Sequence, residues 1–437
     1  MARDANTSKT NHASIQGNRI QTFFLQGSRD IAMPRLALLL SVLALTVLGI
    51  VMVYSSSTIE ALDNDVSSTS YMMSQAIGAI LGVGGCLFVA RVIPYYRWMG
   101  GLLDALWWIS FGLLVLTALM GISALGAQRW LVLGPISFQP SEIAKVAFVL
   151  VMARIMYEMR TQNLDARALS LRFGFWVVMP LLLLYFAQSD LGTTLICIVG
   201  ILAVAWLGDV PLRPFLTSMA VLFALGVVAV FSVGYRSDRL SFMNPEADYY
   251  GGGYQLARSL YSFGEGGLLG VGLGNSTEKY LYLPEAETDF IFAIVGEELG
   301  LVGALVVVAL FLVILWSGLS IARKAPDMFG SMIAGGCTVM LVFQAFLNIG
   351  CVIGILPTTG KPLPFLSSGG SSLIGSFFLV GIILSVSFAS GADSGIYKKR
   401  REEFEVVRTG GSKQRGGGRS SSRKAQTRTS GSRSSRR

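Results

Sequence analysis

From Pro34 to Ser390 the chain is a succession of apolar runs separated by short polar breaks. Most of the runs are near the ~20 residues that a helix needs to cross about 30 Å of hydrocarbon. Nothing else in the sequence restricts the fold as strongly. A chain that spans lipid must satisfy its backbone internally, so runs of this length become helices rather than open sheet. Charged residues make up only 14% of the chain, against about a quarter in water-soluble domains. The expected fold class is therefore all-α: a polytopic integral membrane protein of about ten transmembrane helices with one large extracytoplasmic loop.

The spans read as 34–54, 71–92, 102–121, 140–157, 172–187, 190–208, 214–234, 289–322, 329–352 and 371–391. Gln188, Ser189 and Asp190 place a tight turn between the fifth and sixth. Residues 1–32 are polar and lack the apolar core of a cleaved signal peptide, so the first span reads as a signal anchor. With both ends cytoplasmic, the inside loops hold Arg91, Arg97, Arg160, Arg167, Arg172, Arg213, Arg323 and Lys324. The outside loops hold little positive charge beyond Arg129 and Lys361, while the first carries Glu60, Asp63 and Asp65. This satisfies the positive-inside rule. Three regions follow: a cytoplasmic segment 1–32, a membrane domain 33–391 and a basic cytoplasmic tail 392–437. The tail is rich in Arg, Lys, Ser and Gly and is expected to be disordered. Its charge suits an anionic lipid surface or a docking partner. It carries no base-reading groups, so no nucleic-acid partner is expected.

The residues that are missing narrow the chemistry. The only histidine, His12, lies in the polar N-terminal segment. A Ser-His-Asp triad, a Cys-His pair and a His-ligated zinc site are thus excluded from the membrane domain. Cys86, Cys197, Cys337 and Cys351 show no metal or redox spacing and read as small apolar residues. Proton transfer must fall to carboxylates, lysine or a metal-bound water.

The long outside loop, 235–288, is where chemistry is expected, because loops of that length inside a compact domain are seldom mere connections. It runs into Leu283-Pro284-Glu285-Ala286-Glu287-Thr288-Asp289-Phe290, where three acids alternate at the entry to the next span. One acid would serve a helix dipole; three leave a function to account for. Glu297 and Glu298 follow, and Glu142 and Lys145 open the fourth span. Charges at such depth must pair or line a wet cavity. Glu297 reads as mainly structural, with Glu298 and Lys145 as site candidates. Arg236 and Arg239 share a face and could clamp a diphosphate; snorkelling at a helix end is the plainer account. Gly264, Gly266, Gly267, Gly270, Gly272 and Gly274 match no nucleotide-binding pattern and favour close backbone approach. Arg129, beside Trp130, sits where a lipid headgroup would lie. Leu356 to Phe365 holds three prolines and Lys361 in a rigid outer loop, followed by small residues that open the last span.

Four blocks together resemble the SEDS family (shape, elongation, division and sporulation). They are QRWLVLGPISFQPSEIAK at 128–145, the segment from YRSDRLSFMNPEAD to GGGYQLARSLYSFGEGG at 235–267, LPEAETDFIFAIVGEELGLVG at 283–303, and NIGCVIGILPTTGKPLPFLSSGGSSL at 348–373. The likeness runs from about residue 34 to 391. The LPEA opening is closer to the division branch than to the elongation branch. The resemblance implies a ten-helix bundle that polymerises lipid II, working beside a class B penicillin-binding protein (an FtsI-like transpeptidase) and other divisome membrane proteins at the septum. The family's catalytic aspartate falls on Asp289. Many relatives have His where Glu287 stands, Tyr where Ser368 stands, some a basic residue near Ser137, and an aromatic residue at Glu246; Asp289 is retained.

The resulting expectation is that Asp289 acts as general base. Arg129, Lys145, Arg236, Arg239 and Lys361 would stabilise the departing diphosphate, and Glu285, Glu287 and Glu298 complete the candidate substrate-binding set. A divalent cation (Mg or Mn) held near Asp289 and Glu285 could share that task. Two other readings remain open: a lipid II flippase using Lys145, Glu142 and Glu298 as a translocation path, and a division scaffold that acts through its tails.

Overall fold

A computed structural model describes residues 29–63, 67–124, 127–133, 136–162, 166–210, 253–280 and 282–391. The chain begins with α1 (Arg29–Ser56), a short α2 (Thr58–Asp63) and α3 (Ser68–Val92). A 3-10 turn, Tyr95–Met99, leads to α4 (Gly101–Met120). Three short strands follow: β1 (Ile122–Ala124), β2 (Ala127–Leu133) and β3 (Ile136–Phe138). They pair antiparallel in the order β1-β2-β3, a small meander that the apolar pattern did not announce. Next come α5 (Ser141–Gln162) and α6 (Ala166–Phe173). The latter continues through π turns at Gly174–Val178 and Leu183–Ala187 around α7 (Met179–Leu182), whose Pro180 lacks an N–H to donate. After α8 (Leu191–Leu207) the description resumes at α9 (Tyr254–Gly266). The remaining helices are α10 (Ile291–Glu298), α11 (Gly300–Arg323), α12 (Met328–Val352) and α13 (Gly370–Gly391).

Seven described helices are long and apolar enough to cross a membrane, and α8 is a shorter apolar helix. Helix α5 has the length, but Glu142, Lys145, Arg154, Glu158 and Arg160 give it a polar character. The expected span 214–234 lies outside the described residues. In the most apolar stretches of α12 and α13, 83% and 78% of residues are buried, against 17–44% in the other spans. These two helices are therefore the bundle's axis. Helix α13 packs on α3, α12 on α8 and α11, and α11 on α1. The outward faces of the rest remain apolar, as a lipid-facing surface must.

Charges are satisfied locally. The buried Arg35 donates to the Ser387 hydroxyl at 2.9 Å and carbonyl at 2.7 Å. Arg154 meets Asp104 at 2.6 Å and lies over Trp176.

The expected single span 289–322 is broken. Helix α10 stops at Glu298, and α11 starts at Gly300, whose φ is +67°. A Cβ there would sit 2.3 Å from the Gly270 nitrogen and 2.6 Å from the Leu268 carbonyl. The chain breaks because the long loop packs into the joint. Val271 and Gly272 donate to the Glu297 and Glu298 carbonyls, while Leu301 and Val302 donate to those of Gly267 and Leu268. The glycine run thus serves backbone approach: a Cβ on Gly266 would fall 2.1 Å from the Gly296 carbonyl oxygen.

Side chains lock the same joint. The buried Glu297 carboxylate accepts from the Ser276 hydroxyl at 2.7 Å and from the Thr277 and Glu278 amides at 2.5 and 3.3 Å. Glu298 accepts from Ser55 of α1 at 2.6 Å and pairs with Lys279 at 3.2 Å. Arg258 of α9 pairs with Glu278 at 2.7 Å.

Two outcomes follow for stability. Gly300→Val, which combines a left-handed backbone with a backbone clash, should cost about 2–4 kcal/mol and lower the detergent melting temperature. Gly84→Ala, where nothing lies within 4 Å, should leave the melting temperature within error of the parent. Lys279→Met should cost about 3–5 kcal/mol by stranding Glu298. Lys279→Met/Glu298→Gln should recover most of it, and a double-mutant cycle by thermal melts checks this.

Candidate active site

The acidic segment forms a series of turns over 282–290 and precedes α10. Glu285 takes a left-handed backbone, φ +57°, and its carbonyl accepts from Thr288 and Phe290. Its exposed carboxylate accepts from the Thr288 hydroxyl at 2.5 Å. Within these turns Glu287 is buried, with its carbonyl accepting from the Ser368 amide, and Asp289 is half-buried just before α10.

Asp289 is fixed through its backbone. Asn348 of α12 donates to the Asp289 carbonyl at 2.7 Å and to the Lys361 carbonyl at 2.8 Å. One amide therefore ties the acidic segment to the proline-rich loop. A Cβ on Gly360 would lie 3.4 Å from Asp289 Oδ2, so the loop runs beside the carboxylate. Burial pushes the Asp289 carboxyl up, and the Glu285 charge adds to this. The Lys361 and Arg129 cations pull it back, and the balance is about 6.

Lys361 is held by Asp190, whose sequence position marks it only as part of a turn. Asp190 caps α8, its carboxylate accepting from the Thr193 amide at 3.0 Å and hydroxyl at 2.8 Å. Lys361 reaches it at 2.8 Å, and Gln139 donates at 3.3 Å. Burial alone would raise this carboxyl. The charges of Lys361 and Arg129, with the Lys361 and Thr193 hydrogen bonds, hold it near 2 instead. Arg129, on β2, donates to the Ser189 carbonyl at 2.6 Å, closing the turn that presents Asp190. The meander thus carries Arg129 to the mouth. Only the acid-cation pairing rule could have drawn attention to Asp190, and its partner lies 171 residues away.

Lys145 and Glu298 do not converge on Asp289. Lys145 pairs with Glu142 at 2.7 Å and donates to Gln344 at 2.6 Å, within the bundle. Glu298 is engaged by Ser55 and Lys279 in the loop joint. Of the intramembrane charges, Lys145 and Glu142 thus pair with each other, while Glu298 takes Lys279 from the loop. Arg236 and Arg239 lie outside the described residues. Among the described residues no group of three or more His, Cys, Asp or Glu side chains is placed to hold a metal ion. Asp289 and Glu285 supply two carboxylates, opposed by two cations, and do not by themselves make a metal site.

The arrangement is a carboxyl pushed up to about 6 at the mouth of a membrane bundle, within the field of an arginine and a lysine. Residues 35–391 match the profile of the FtsW/RodA/SpoVE family, described as cell cycle protein. The chain is 38% identical to stage V sporulation protein E of Bacillus subtilis, over 81% of this chain and 97% of that one. It is 40% identical to a probable peptidoglycan glycosyltransferase FtsW of Trichlorobacter lovleyi, over 80% and 92%. Two solved structures share the fold at 27% identity. One chain comes from a peptidoglycan synthase complex that coordinates polymerization and crosslinking (TM-score 0.66, covering 82% of this chain and 98% of that one). The other is the rod shape determining protein RodA of Thermus thermophilus (TM-score 0.59, 82% and 97%). The chain belongs to the FtsW/RodA/SpoVE family of cell cycle proteins.

Proposed function

We propose that this peptidoglycan glycosyltransferase polymerises lipid II at the mouth around Asp289, on the extracytoplasmic face of the inner membrane, during septal wall synthesis. The observation that carries the reading is the setting of Asp289: a carboxyl lifted to about 6, beside Lys361 and Arg129, at the entry of a broken span.

A β-1,4 bond made from an α-linked diphosphate donor requires inversion at the anomeric carbon, hence one in-line displacement. Asp289 removes the proton from the acceptor 4-hydroxyl as that oxygen bonds to the anomeric carbon. The bond from that carbon to the diphosphate oxygen breaks, and undecaprenyl diphosphate leaves with the electron pair. Arg129 faces the charge that develops on the leaving group, since guanidinium forks suit phosphate oxygens. Lys361 is buried and bridged to Asp190, so it acts through its field and through the loop it anchors. A magnesium or manganese ion would be a second source of positive charge. Asp289 and Glu285 are the carboxylates that would contribute to holding it, and no step depends on it.

Division is favoured over elongation by the LPEA opening at 283–286. A class B penicillin-binding protein is the partner that fits, because polymer made here must be crosslinked nearby; likeness to a chain from a peptidoglycan synthase complex supports this. The transport reading is weakened by the bridges that engage Lys145 and Glu298. Depletion imaging separates the branches: filaments indicate division, round cells elongation.

Purified with its transpeptidase and given lipid II, Asp289→Asn should keep its fold and partner but lose about 10²- to 10⁴-fold of polymerisation. Glycan strands at the parental rate would refute the assignment. The base must be ionised, so kcat/KM should rise with pH through an inflection near 6. Lys361→Met removes a cation that lowers the Asp289 value, so the inflection should move to higher pH; stopped lipid II assays across pH 5–8 report it.

A further inference from the structure

Residues 266–274 read Gly-Gly-Leu-Leu-Gly-Val-Gly-Leu-Gly, a stretch without one polar side chain in the middle of the long loop. In the structure it is not folded inward. Leu268 is 69% exposed and Leu269 81%, the highest value among the exposed large hydrophobics of the described residues. Val271 and Leu273 are also exposed. In water, each such leucine forgoes about 1.5–3 kcal/mol of burial.

We infer that this apolar turn is a membrane anchor, seated in the acyl-headgroup boundary of the outer leaflet. Its position in the fold supplies the first argument. The Leu268 carbonyl accepts from Val302, and the Gly267 carbonyl from Leu301, both in the first turn of α11. The turn is therefore level with the beginning of a membrane-spanning helix. On that helix Leu301, Val302, Leu305 and Val306 are all exposed, which is its lipid-facing side. The apolar turn extends that exposed apolar surface sideways rather than starting a separate patch.

The backbone supplies the second argument. A loop can enter the edge of a bilayer only if its polar groups are occupied. Here Gly270, Val271 and Gly272 donate to the carbonyls of Gly266, Glu297 and Glu298. The third argument is aromatic. Tyr261, Tyr280 and Tyr282 flank the turn and are exposed, the residue type that collects at headgroup level. Of the charged groups of the same loop, Glu278 and Lys279 are buried, paired with Arg258 and Glu298, while Glu265 stays exposed on the water side. The loop is thus sorted into an apolar rim and a polar interior. The occupant that fits is lipid; a transpeptidase surface is the alternative that the experiment tests.

The native cysteines are all buried, so single introduced cysteines can carry a nitroxide label. Full-length protein with Leu269→Cys, Leu305→Cys or Glu265→Cys is placed in vesicles of phosphatidylethanolamine and phosphatidylglycerol. Relaxation by oxygen and by a water-soluble nickel chelate is then measured. At Leu269→Cys the oxygen effect should exceed the nickel effect, as at Leu305→Cys on the spanning helix, with the order reversed at Glu265→Cys. Leu268→Cys should repeat the Leu269→Cys result, which guards against one variant folding poorly. Nickel-dominated relaxation at both leucines would overturn the anchor. So would a label that is water-accessible alone and shielded only when a class B transpeptidase is added. Neither readout depends on catalysis, so the anchor and the glycosyltransferase reading fail separately.

Discussion

Two adjacent carboxylates, Glu297 and Glu298, hold the long loop to the bundle, and the geometry of the mouth follows from that joint. A carboxylate at this depth survives only when its charge is matched and its lone pairs are occupied. Glu297 accepts from amides and a hydroxyl of 276–278, and Glu298 meets Lys279 and Ser55 through its Oε1. Both sets of partners are contributed from outside α10. The acids therefore interrupt the helix path, draw glycine backbone into the gap, and leave the acidic segment as turns at the edge.

The mouth itself is organised by a second buried charge. Asp190 binds Lys361, which anchors the proline-rich loop, and Asn348 ties that loop to the Asp289 carbonyl. Arg129 reaches the same turn from the β-meander. Asp289 is left without an ion-pair partner of its own among the described residues, yet within the field of two cations and of Glu285. A base needs this compromise: full pairing would quench it, and isolation would protonate it.

Within the family, this organisation separates roles that the residue types alone suggest are shared. Lys145 and Glu298 are intramembrane charges of the kind that often mark a transport path. Here each belongs to a closed local bridge. The groups around Asp289 come instead from four separated segments: the meander, the α8 cap, the acidic turns and the outer loop.

What the sequence determined by itself is the membrane bundle, most of its spans, and the position of the acidic segment. Apolar length, loop charge and a specific motif are local properties, and local properties are written in order along a chain. The tertiary structure decided the rest. The break at Gly300 depends on Leu268 and Gly270, some thirty residues earlier. The partner of Asp190 is 171 residues away, and Glu298 of α10 takes Lys279 of the long loop. The β-meander was hidden because β1 and β3 are three residues long, and the seven-residue β2, AQRWLVL, does not alternate polar with apolar. In lipid a buried charge must be matched, but only packing decides which of several distant groups of opposite sign arrives to match it.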